Sequence, residues 1–146
     1  MKKKHVGRLE IVTLPAYSSK KIIAKSDTGA YSAALHCAAI KLIADKQGQK
    51  TLCFRPIGRS FALQRSAVYS RKNVRSSNGQ SERRYFVHTK IFLDGQLYDI
   101  EFGLTDRSAM KWPVLLGRKF LRLHKMVVDV DKPRTTRALV KELQKQ

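Results

Sequence analysis

The chain has 146 residues, with 30 Lys plus Arg against 11 Asp plus Glu, which gives a formal charge of +19. This length suits a single domain over residues 1–146, and an apolar fraction of 42% is enough for a packed core, which excludes global disorder. So large a positive charge repels itself in a compact state unless an anionic partner offsets it. Nucleic acid, a ribosomal surface, an anionic membrane or an acidic peptide all fit that requirement.

Other classes of protein are excluded by the pattern of apolar residues and cysteines. No stretch approaches 18 consecutive apolar residues, so we expect no membrane-spanning helix and no membrane partner. The basic start, residues 1–4, resembles the charged end of a signal peptide, but Arg8 and Glu10 interrupt the apolar region that should follow, so we expect a cytoplasmic protein. Cys37 and Cys53 form no CxxC pair, which indicates neither a disulfide framework nor a zinc finger.

Taken in chain order, the sequence predicts mostly strands. Apolar alternation and β-branched residues mark the strand candidates, which are residues 7–14, 20–26, 33–43, 51–55, 84–93, 96–104 and 126–130. Residues 113–116 form a short run that we expect to be buried. Asp94–Gly95 lies between two β-rich runs and predicts a hairpin. Residues 71–84 are rich in Arg and predict a basic loop or hairpin tip. We expect a short helix over 117–123 and a basic C-terminal helix over 135–145, read as solvated and frayed.

The chemistry is concentrated in two short segments. Asp27-Thr28-Gly29 follows an apolar, strand-like run and precedes Ala30. A second apolar segment, Leu115-Leu116-Gly117-Arg118, lies about 90 residues downstream. This combination resembles the retropepsin-like aspartic proteases, in which an apolar strand leads into Asp-Thr-Gly-Ala and a later apolar-apolar-Gly-Arg segment opens a short helix beneath it.

The resemblance extends to further motifs and covers roughly residues 7–130. These motifs are Gly7-Arg-Leu-Glu10, Ser32-Ala-Ala-Leu-His36, Val74-Arg-Ser-Ser-Asn-Gly79 and Leu104-Thr-Asp-Arg-Ser108. In this order they look like one bacterial family, often labelled ATP-dependent zinc proteases and now viewed as retropepsin-like. The resemblance implies an all-β, retropepsin-like closed barrel, with basic extensions at both ends of the 7–130 core.

The same resemblance implies aspartic peptidase activity, and elementary chemistry suggests how it would work. Two carboxyl groups held about 3 Å apart share one proton, so one acts as general base and the other as general acid. The chain offers one Asp-Thr-Gly, so we expect a homodimer in which Asp27 meets Asp27 on the two-fold axis. Thr28 would then brace the loop across that axis, and Gly29 would let a substrate backbone approach closely.

By resemblance, residues 70–86 form a flap over the substrate. The expected substrate-binding residues are Ala30, Arg71, Arg75, Ser76, Ser77, Arg83 and Arg84, and those expected to support the site are Leu116, Gly117 and Arg118. The Arg-rich flap departs from the apolar, Gly-rich flap of viral retropepsins. A second departure is Tyr31, where the viral enzymes carry an Asp that pairs with the Arg matching Arg118, so the partner of Arg118 is open.

The zinc and ATP named in the family label find no support in the sequence. The four histidines and two cysteines form no HExxH or CxxC pattern, and no GxxxxGK[ST] loop is present. We therefore expect no metal and no cofactor. His36-Cys37 is read as an ordinary neighbour pair.

Less specific interpretations stand beside each of these predictions. Asp27 could serve only as a turn residue, and Arg118 is read as serving dimer packing. Asp106 and Arg107 form either a local ion pair or part of a substrate site. Trp112 is read as a core residue rather than a ligand platform.

Two functions remain open on the sequence. Family relatives occur alongside ATP-grasp ligases that add glutamate tails to a ribosomal protein, so the resemblance implies cleavage of acidic tails with a ribosomal protein as partner. A basic flap, with Arg71, Lys72, Arg75, Arg83 and Arg84 against Glu82, would attract such tails. The alternative is a non-catalytic basic module that binds RNA or the ribosome, since counterion release would drive phosphate binding.

Overall fold

The computed structural model describes residues 2–75, 79–106 and 111–132. Strands make up 56% of the structure, which confirms the all-β prediction. The described strands are β1 (Lys4–Val6), β2 (Leu9–Thr13), β3 (Ile22–Ser26), β4 (Ala33–Ala44), β5 (Lys50–Pro56), β6 (Gln64–Ser66), β7 (Ser70–Arg75), β8 (Ser81–Leu93), β9 (Gln96–Thr105), β10 (Val114–Leu116) and β11 (Met126–Val128). The helix α1 (Arg118–Leu123) follows Gly117, as the sequence predicted.

Six of these strands close into a barrel, in the order β10–β3–β2–β8–β9–β4. The barrel closes at β10, which runs parallel to β3 and antiparallel to β4. The strand β4 continues beyond the barrel to pair with β5, which pairs in turn with β6, while β7 pairs with β8. The short strands β1 and β11 form a separate parallel pair. The predicted closed barrel is therefore confirmed.

The hairpin predicted at Asp94–Gly95 joins β8 to β9. Leu93 pairs with Gln96 across the turn, and both turn residues have positive φ, 47° for Asp94 and 80° for Gly95. Two such residues in succession match the right-handed twist of the flanking strands, which is why Asp-Gly favours this turn. The turn fixes the register of the longest strand pair in the barrel.

The barrel is filled by alternate residues of its strands. Ile22 and Ala24 of β3, and Val114 and Leu116 of β10, belong to one buried apolar cluster with Phe102 of β9. Burial of a side chain of this size stabilises a fold by about 1.5–3 kcal/mol. Because successive side chains of a strand point to opposite faces, the intervening residues of β3, β4 and β10 point outward.

Several sequence predictions differ from the structure or lie outside it. The strands β1 and β6 were not predicted, because three residues are too few to show alternation. The last strand ends at Val128 rather than Val130. Of the two alternatives for residues 71–84, the hairpin forms, from β7 and β8. The helix predicted over 135–145 lies outside the described residues, as does Arg107 of the Asp106–Arg107 pair.

The reading of Trp112 as a core residue was wrong. Trp112 is only half-buried and does not belong to the buried apolar cluster. It lies two residues before β10, and it lines a pocket with Pro113. The sequence does not distinguish a Trp in the core from a half-buried Trp just before a buried strand.

Candidate active site

The loop of Asp27 begins where β3 ends, and backbone hydrogen bonds fix it on both sides. The Asp27 N–H donates to the Leu116 carbonyl at 2.9 Å, and the Ala30 N–H donates to the Asp27 carbonyl at 3.2 Å. One residue earlier, the buried Ser26 hydroxyl donates to the Gly7 carbonyl at 2.9 Å. The parallel pair of β3 and β10 therefore sets the position of Asp27, because it holds the strand residues that flank the loop.

Within the loop, the Asp27 side chain folds back on the following turn. The Gly29 N–H donates to Asp27 Oδ1 at 3.1 Å, and a Cβ on Gly29 would lie only 3.3 Å from the same oxygen. Asp27 is half-buried, whereas Thr28 and Gly29 are exposed at the tip of the loop. The arrangement presents a carboxylate at the surface in a fixed orientation.

The segment predicted to support the site does lie against the loop. A Cβ on Gly117 would lie 2.5 Å from the Ser32 carbonyl oxygen and 2.6 Å from that of Tyr31, so the two backbones meet at a distance that only glycine allows. Directly after it, the Arg118 N–H donates to the Ala30 carbonyl at 2.8 Å. The start of α1 thus holds residues 30–32, which follow Asp27 in the loop.

The side chain of Arg118 has a partner in the loop itself. Its Nη1 donates to the Thr28 carbonyl at 2.9 Å, and its guanidinium lies 5.8 Å from the centre of the Tyr31 ring. Arg118 therefore contacts the residue that follows Asp27, although Tyr31 stands where the viral enzymes have an acid. A cation held against a carbonyl braces the loop without needing that acid.

The β7–β8 hairpin divides its basic residues between two faces. Directly opposed residues of an antiparallel pair share a face, and Arg71 opposes Tyr85 while Asn73 opposes Arg83. Arg71, Arg83 and Arg75 therefore share one face, on which the Arg71 guanidinium lies 5.0 Å from the centre of the Tyr85 ring. Ser76 and Ser77 lie outside the described residues.

The opposite face of the hairpin carries Arg84 and Lys72, which oppose each other across the two strands. Arg84 Nε lies 3.4 Å from Glu82 Oε1, and only 11% of the Arg84 side chain is exposed. Lys72 Nζ donates to Glu101 Oε1 at 3.0 Å. Neighbouring residues of a strand point to opposite faces, so Arg84 does not lie on the face that carries Arg71, Arg75 and Arg83.

Glu101 is a charged centre that the sequence did not reveal. Its carboxylate contacts Lys72 from β7 at 3.0 Å, His88 from β8 at 3.0 Å and Lys119 from α1 at 3.1 Å. Partial burial by itself would raise the pKa of Glu101, but the hydrogen bonds from Lys72 and Lys119 outweigh it and lower the pKa. One carboxylate thus joins the hairpin to the helix that supports the Asp27 loop.

Over residues 2–75, 79–106 and 111–132, no three His, Cys, Asp or Glu side chains come together as a metal site. Cys37 points into the buried cluster, where burial raises the pKa of its thiol, with the Asp106 carboxylate contributing further. The described part of the chain contains one helix, the six-residue α1, which is too short to cross a bilayer.

A closed barrel with Asp-Thr-Gly at the end of one strand, resting on Leu-Gly-Arg at the end of another, defines the retropepsin-like class. A model of the family described as retropepsin-like aspartic endopeptidase RimB matches residues 5–138. The chain belongs to this RimB-like family.

Several longer relatives carry a different name. A Shewanella pealeana protein named "Probable alpha-L-glutamate ligase" is 34% identical over 129 residues, which is 85% of this chain and 28% of that protein. Proteins of the same name from Shewanella halifaxensis and Desulfotalea psychrophila are 33% and 27% identical, again over 28% of their lengths. The chain therefore spans a little over a quarter of these relatives.

A solved structure extends the comparison to the fold. A crystal structure of a Legionella pneumophila protein of unknown function superposes with a TM-score of 0.72 and 29% sequence identity. The match covers 91% of this chain and 98% of that protein. The barrel and its appended strands thus occur together in an experimentally determined relative.

Proposed function

We propose that the chain is an aspartic peptidase that works as a homodimer, in which Asp27 of each copy supplies one of two catalytic carboxyl groups. The observation that carries the proposal is the anchored carboxylate: Leu116 binds the backbone of Asp27, and Gly29 binds its side chain. The close backbone approach of Gly117 to Tyr31 and Ser32 holds the other end of the same loop. Membership of a family described as aspartic endopeptidases supports the same function.

The mechanism follows from two carboxyl groups that share one proton. The ionised Asp27 takes a proton from a water molecule, whose oxygen attacks the carbonyl carbon of the peptide bond. The protonated Asp27 of the other copy hydrogen-bonds the carbonyl oxygen as it becomes negative. The tetrahedral intermediate then breaks its C–N bond, and the amine leaves with a proton from the carboxyl group that gained one. One carboxylate cannot fill both roles, and for this reason the proposal requires the dimer.

The exposed tip of the loop suits this assembly. Thr28 and Gly29 are exposed in the single chain, and Arg118 braces them from behind through the Thr28 carbonyl. In the proposed dimer, Thr28 packs across the two-fold axis, and the backbone at Gly29 and Ala30 borders the substrate. The single domain over 1–146 then contributes half of each site.

We propose an acidic peptide, such as a glutamate-rich tail of a ribosomal protein, as the substrate. The charge of +19 attracts acidic chains, and the hairpin face with Arg71, Arg75 and Arg83 offers guanidinium groups that hold carboxylates bidentately. Relatives named as glutamate ligases fit a substrate that contains added glutamate. Arg84 would contribute through the field of the hairpin, because Glu82 already pairs with it.

The first test replaces Asp27 by Asn and measures cleavage of a glutamate-rich peptide. We expect the rate to fall by about 10²–10⁴-fold or more, because the general base is lost. Asp45→Asn is the matched control, since Asp45 Oδ1 also accepts turn amides, from Gln47 at 2.9 Å and Gln49 at 2.8 Å. Asp45→Asn should leave cleavage unchanged. Equal rates for wild type and Asp27→Asn would refute the proposal.

The second test asks whether the site is shared between two copies. Wild-type and Asp27→Asn chains are mixed under exchange at constant total concentration. If each site needs both copies, an equal mixture contains about one quarter wild-type dimers and retains about a quarter of the activity. A protein with a complete site in each chain would retain about half. Light scattering on the same samples measures the dimer directly.

Binding of RNA or the ribosome is the second candidate, and the charge of +19 is the observation that favours it. This function predicts tight, salt-dependent binding of an oligonucleotide that Asp27→Asn does not change. It also predicts no cleavage by the wild type. Measuring both on the same preparation separates the two candidates, because only the peptidase depends on Asp27.

A further inference from the structure

A pocket of about 200 Å³ lies at the end of the barrel where β3 and β10 begin. Its apolar walls are Ile22, Ile23, Ile57, Phe61, Trp112 and Pro113. Ile23 and Phe61 are buried, whereas Trp112 and Pro113 are half-buried at the opening. We call it the Ile57 pocket. Its apolar walls suit a large aliphatic or aromatic side chain.

The Ile57 pocket lies at the start of β3, and the Asp27 loop follows the end of the same strand. Ile22 and Ala24 point into the barrel, so Ile23 and Lys25 point outward along the strand that leads to Asp27. Ile23 precedes Asp27 by four residues, which at about 3.3 Å per residue places their Cα atoms about 13 Å apart. An extended peptide covers that distance in about four residues. A substrate cleaved at Asp27 can therefore reach the pocket.

The backbone at Ile57 is strained in a way that shapes the pocket. Its φ is +68°, a conformation that β-branched residues rarely adopt. The strained turn is held by the Ile57 N–H, which donates to the His36 carbonyl at 2.7 Å, and by the Phe61 N–H, which donates to the Gly58 carbonyl at 3.0 Å. Strain of this kind persists where the surroundings impose it, and it occurs often at ligand sites.

The rim of the pocket is positively charged. The exposed Lys20, Lys21 and Lys111 line it, and no acidic residue is found among its described lining residues. Lys111 Nζ lies 5.3 Å from the centre of the Trp112 ring, and Lys20 Nζ donates to Ser60 Oγ at 3.2 Å. The site thus combines an apolar interior with a rim that suits carboxylates.

We propose that the Ile57 pocket selects substrates by binding one large apolar side chain of an acidic peptide, about four residues from the bond that is cleaved. The lysines of the rim bind the flanking carboxylates. This inference rests on the proposed peptidase function, and it names the substrate more narrowly. In a two-fold dimer the pocket occurs once on each side of the cleaved bond.

The test uses the fact that Trp112 is the single tryptophan of the chain. Full-length Asp27→Asn protein is titrated with a ten-residue glutamate peptide that contains one leucine, so that binding is measured without cleavage. We expect a saturable shift of Trp112 emission to shorter wavelength as the leucine covers the ring. Replacing that leucine by alanine should weaken binding about tenfold or more, because the apolar contact is lost.

Charge reversal at the rim supplies the matched control. Lys20→Glu with Lys111→Glu should weaken binding roughly tenfold at low salt. Lys46→Glu with Lys50→Glu makes the same change of charge between the end of β4 and the first residue of β5. This pair should change the affinity for the peptide little. All four positions are exposed, so the variants should fold.

Three results would overturn the proposal: no binding of the leucine peptide, equal affinity for the leucine and alanine peptides, or binding without a change in Trp112 emission. An oligonucleotide that alone shifts this emission would assign the pocket to nucleic acid instead. Failure of the peptidase function is visible elsewhere, as absence of cleavage by the wild type. A peptidase that cleaves leucine and alanine peptides equally well would keep its function and lose only the pocket.

Discussion

Replacing Gly117 by alanine tests whether the Asp27 loop depends on a close approach of two backbones. The added Cβ would lie 2.5 Å from the Ser32 carbonyl oxygen, whereas ordinary contact begins at 3.4 Å. The start of α1 must therefore retreat by about 0.9 Å from the loop, or the loop must move. Either movement stretches the hydrogen bonds that the Arg118 and Lys119 amides donate to the loop, at 2.8 Å and 2.9 Å.

The expected loss of stability combines two contributions. Overpacking costs about 1–3 kcal/mol, and each of the two hydrogen bonds contributes about 0.5–1.5 kcal/mol net. Gly117→Ala should therefore lower the free energy of unfolding by about 2–6 kcal/mol, which corresponds to roughly 6–18 °C in Tm. Guanidinium unfolding followed by circular dichroism measures it.

Gly58→Ala is the control for this prediction. A Cβ on Gly58 would meet no atom within 4 Å, and Gly58 does not adopt a positive φ. We expect its stability to lie within about 0.5 kcal/mol of the wild type, or slightly above it. If Gly117→Ala were equally harmless, the close approach of the two backbones would not hold the Asp27 loop in place.

Three further predictions concern single side chains. The pKa of Glu101 is lowered in the folded protein, so its charge contributes stability above the unfolded pKa of 4.5, and that stability is lost as the pH falls through the folded pKa. Glu101→Gln should therefore lower the free energy of unfolding by about 1–3 kcal/mol at pH 7 and by less towards about pH 3, as measured by urea unfolding. The same difference between variant and wild type at both pH values would contradict this. Thr105→Val should raise stability by about 1 kcal/mol, because the buried hydroxyl finds no partner among the described residues; a lower Tm would show that it is bound. Burial raises the pKa of the Cys37 thiol, so a thiol reagent at about pH 8 should label Cys37 quickly only when the protein is unfolded in denaturant. Rapid labelling of Cys37 in the native protein would refute this.

The Asp94–Gly95 hairpin and most strands could be predicted because their signals are local, whereas the closed barrel was predicted from the family resemblance. Asp-Gly between two β-rich runs specifies a hairpin wherever it occurs, and Asp94–Gly95 forms one. Asp27-Thr28-Gly29 and Gly117-Arg118 are short motifs whose order is informative, and the structure places Arg118 against Thr28. The mutual contact of these two segments required the family resemblance, since no local pattern connects them.

The charged centre at Glu101 could not be predicted from the sequence. Its partners Lys72 and Lys119 lie 29 and 18 residues away along the chain, on different elements. The faces of the hairpin depend on register in the same way, because a shift of one residue would exchange Arg83 and Arg84. Composition shows that the hairpin is basic, but only the strand pairing shows which arginines share a face.

The strand that closes the barrel also determines when the site can form during synthesis. Arg118 contacts Thr28 across 90 residues of sequence, and β10 must pair with β3 before Leu116 can bind the backbone of Asp27. Contacts between such distant segments form late in folding, because a long loop must close first. A nascent chain that has not yet emerged as far as β10 carries Asp27 at the end of an unclosed sheet, without the Leu116 carbonyl and the Arg118 guanidinium that hold the loop. The site is therefore completed only when most of the described chain has left the ribosome.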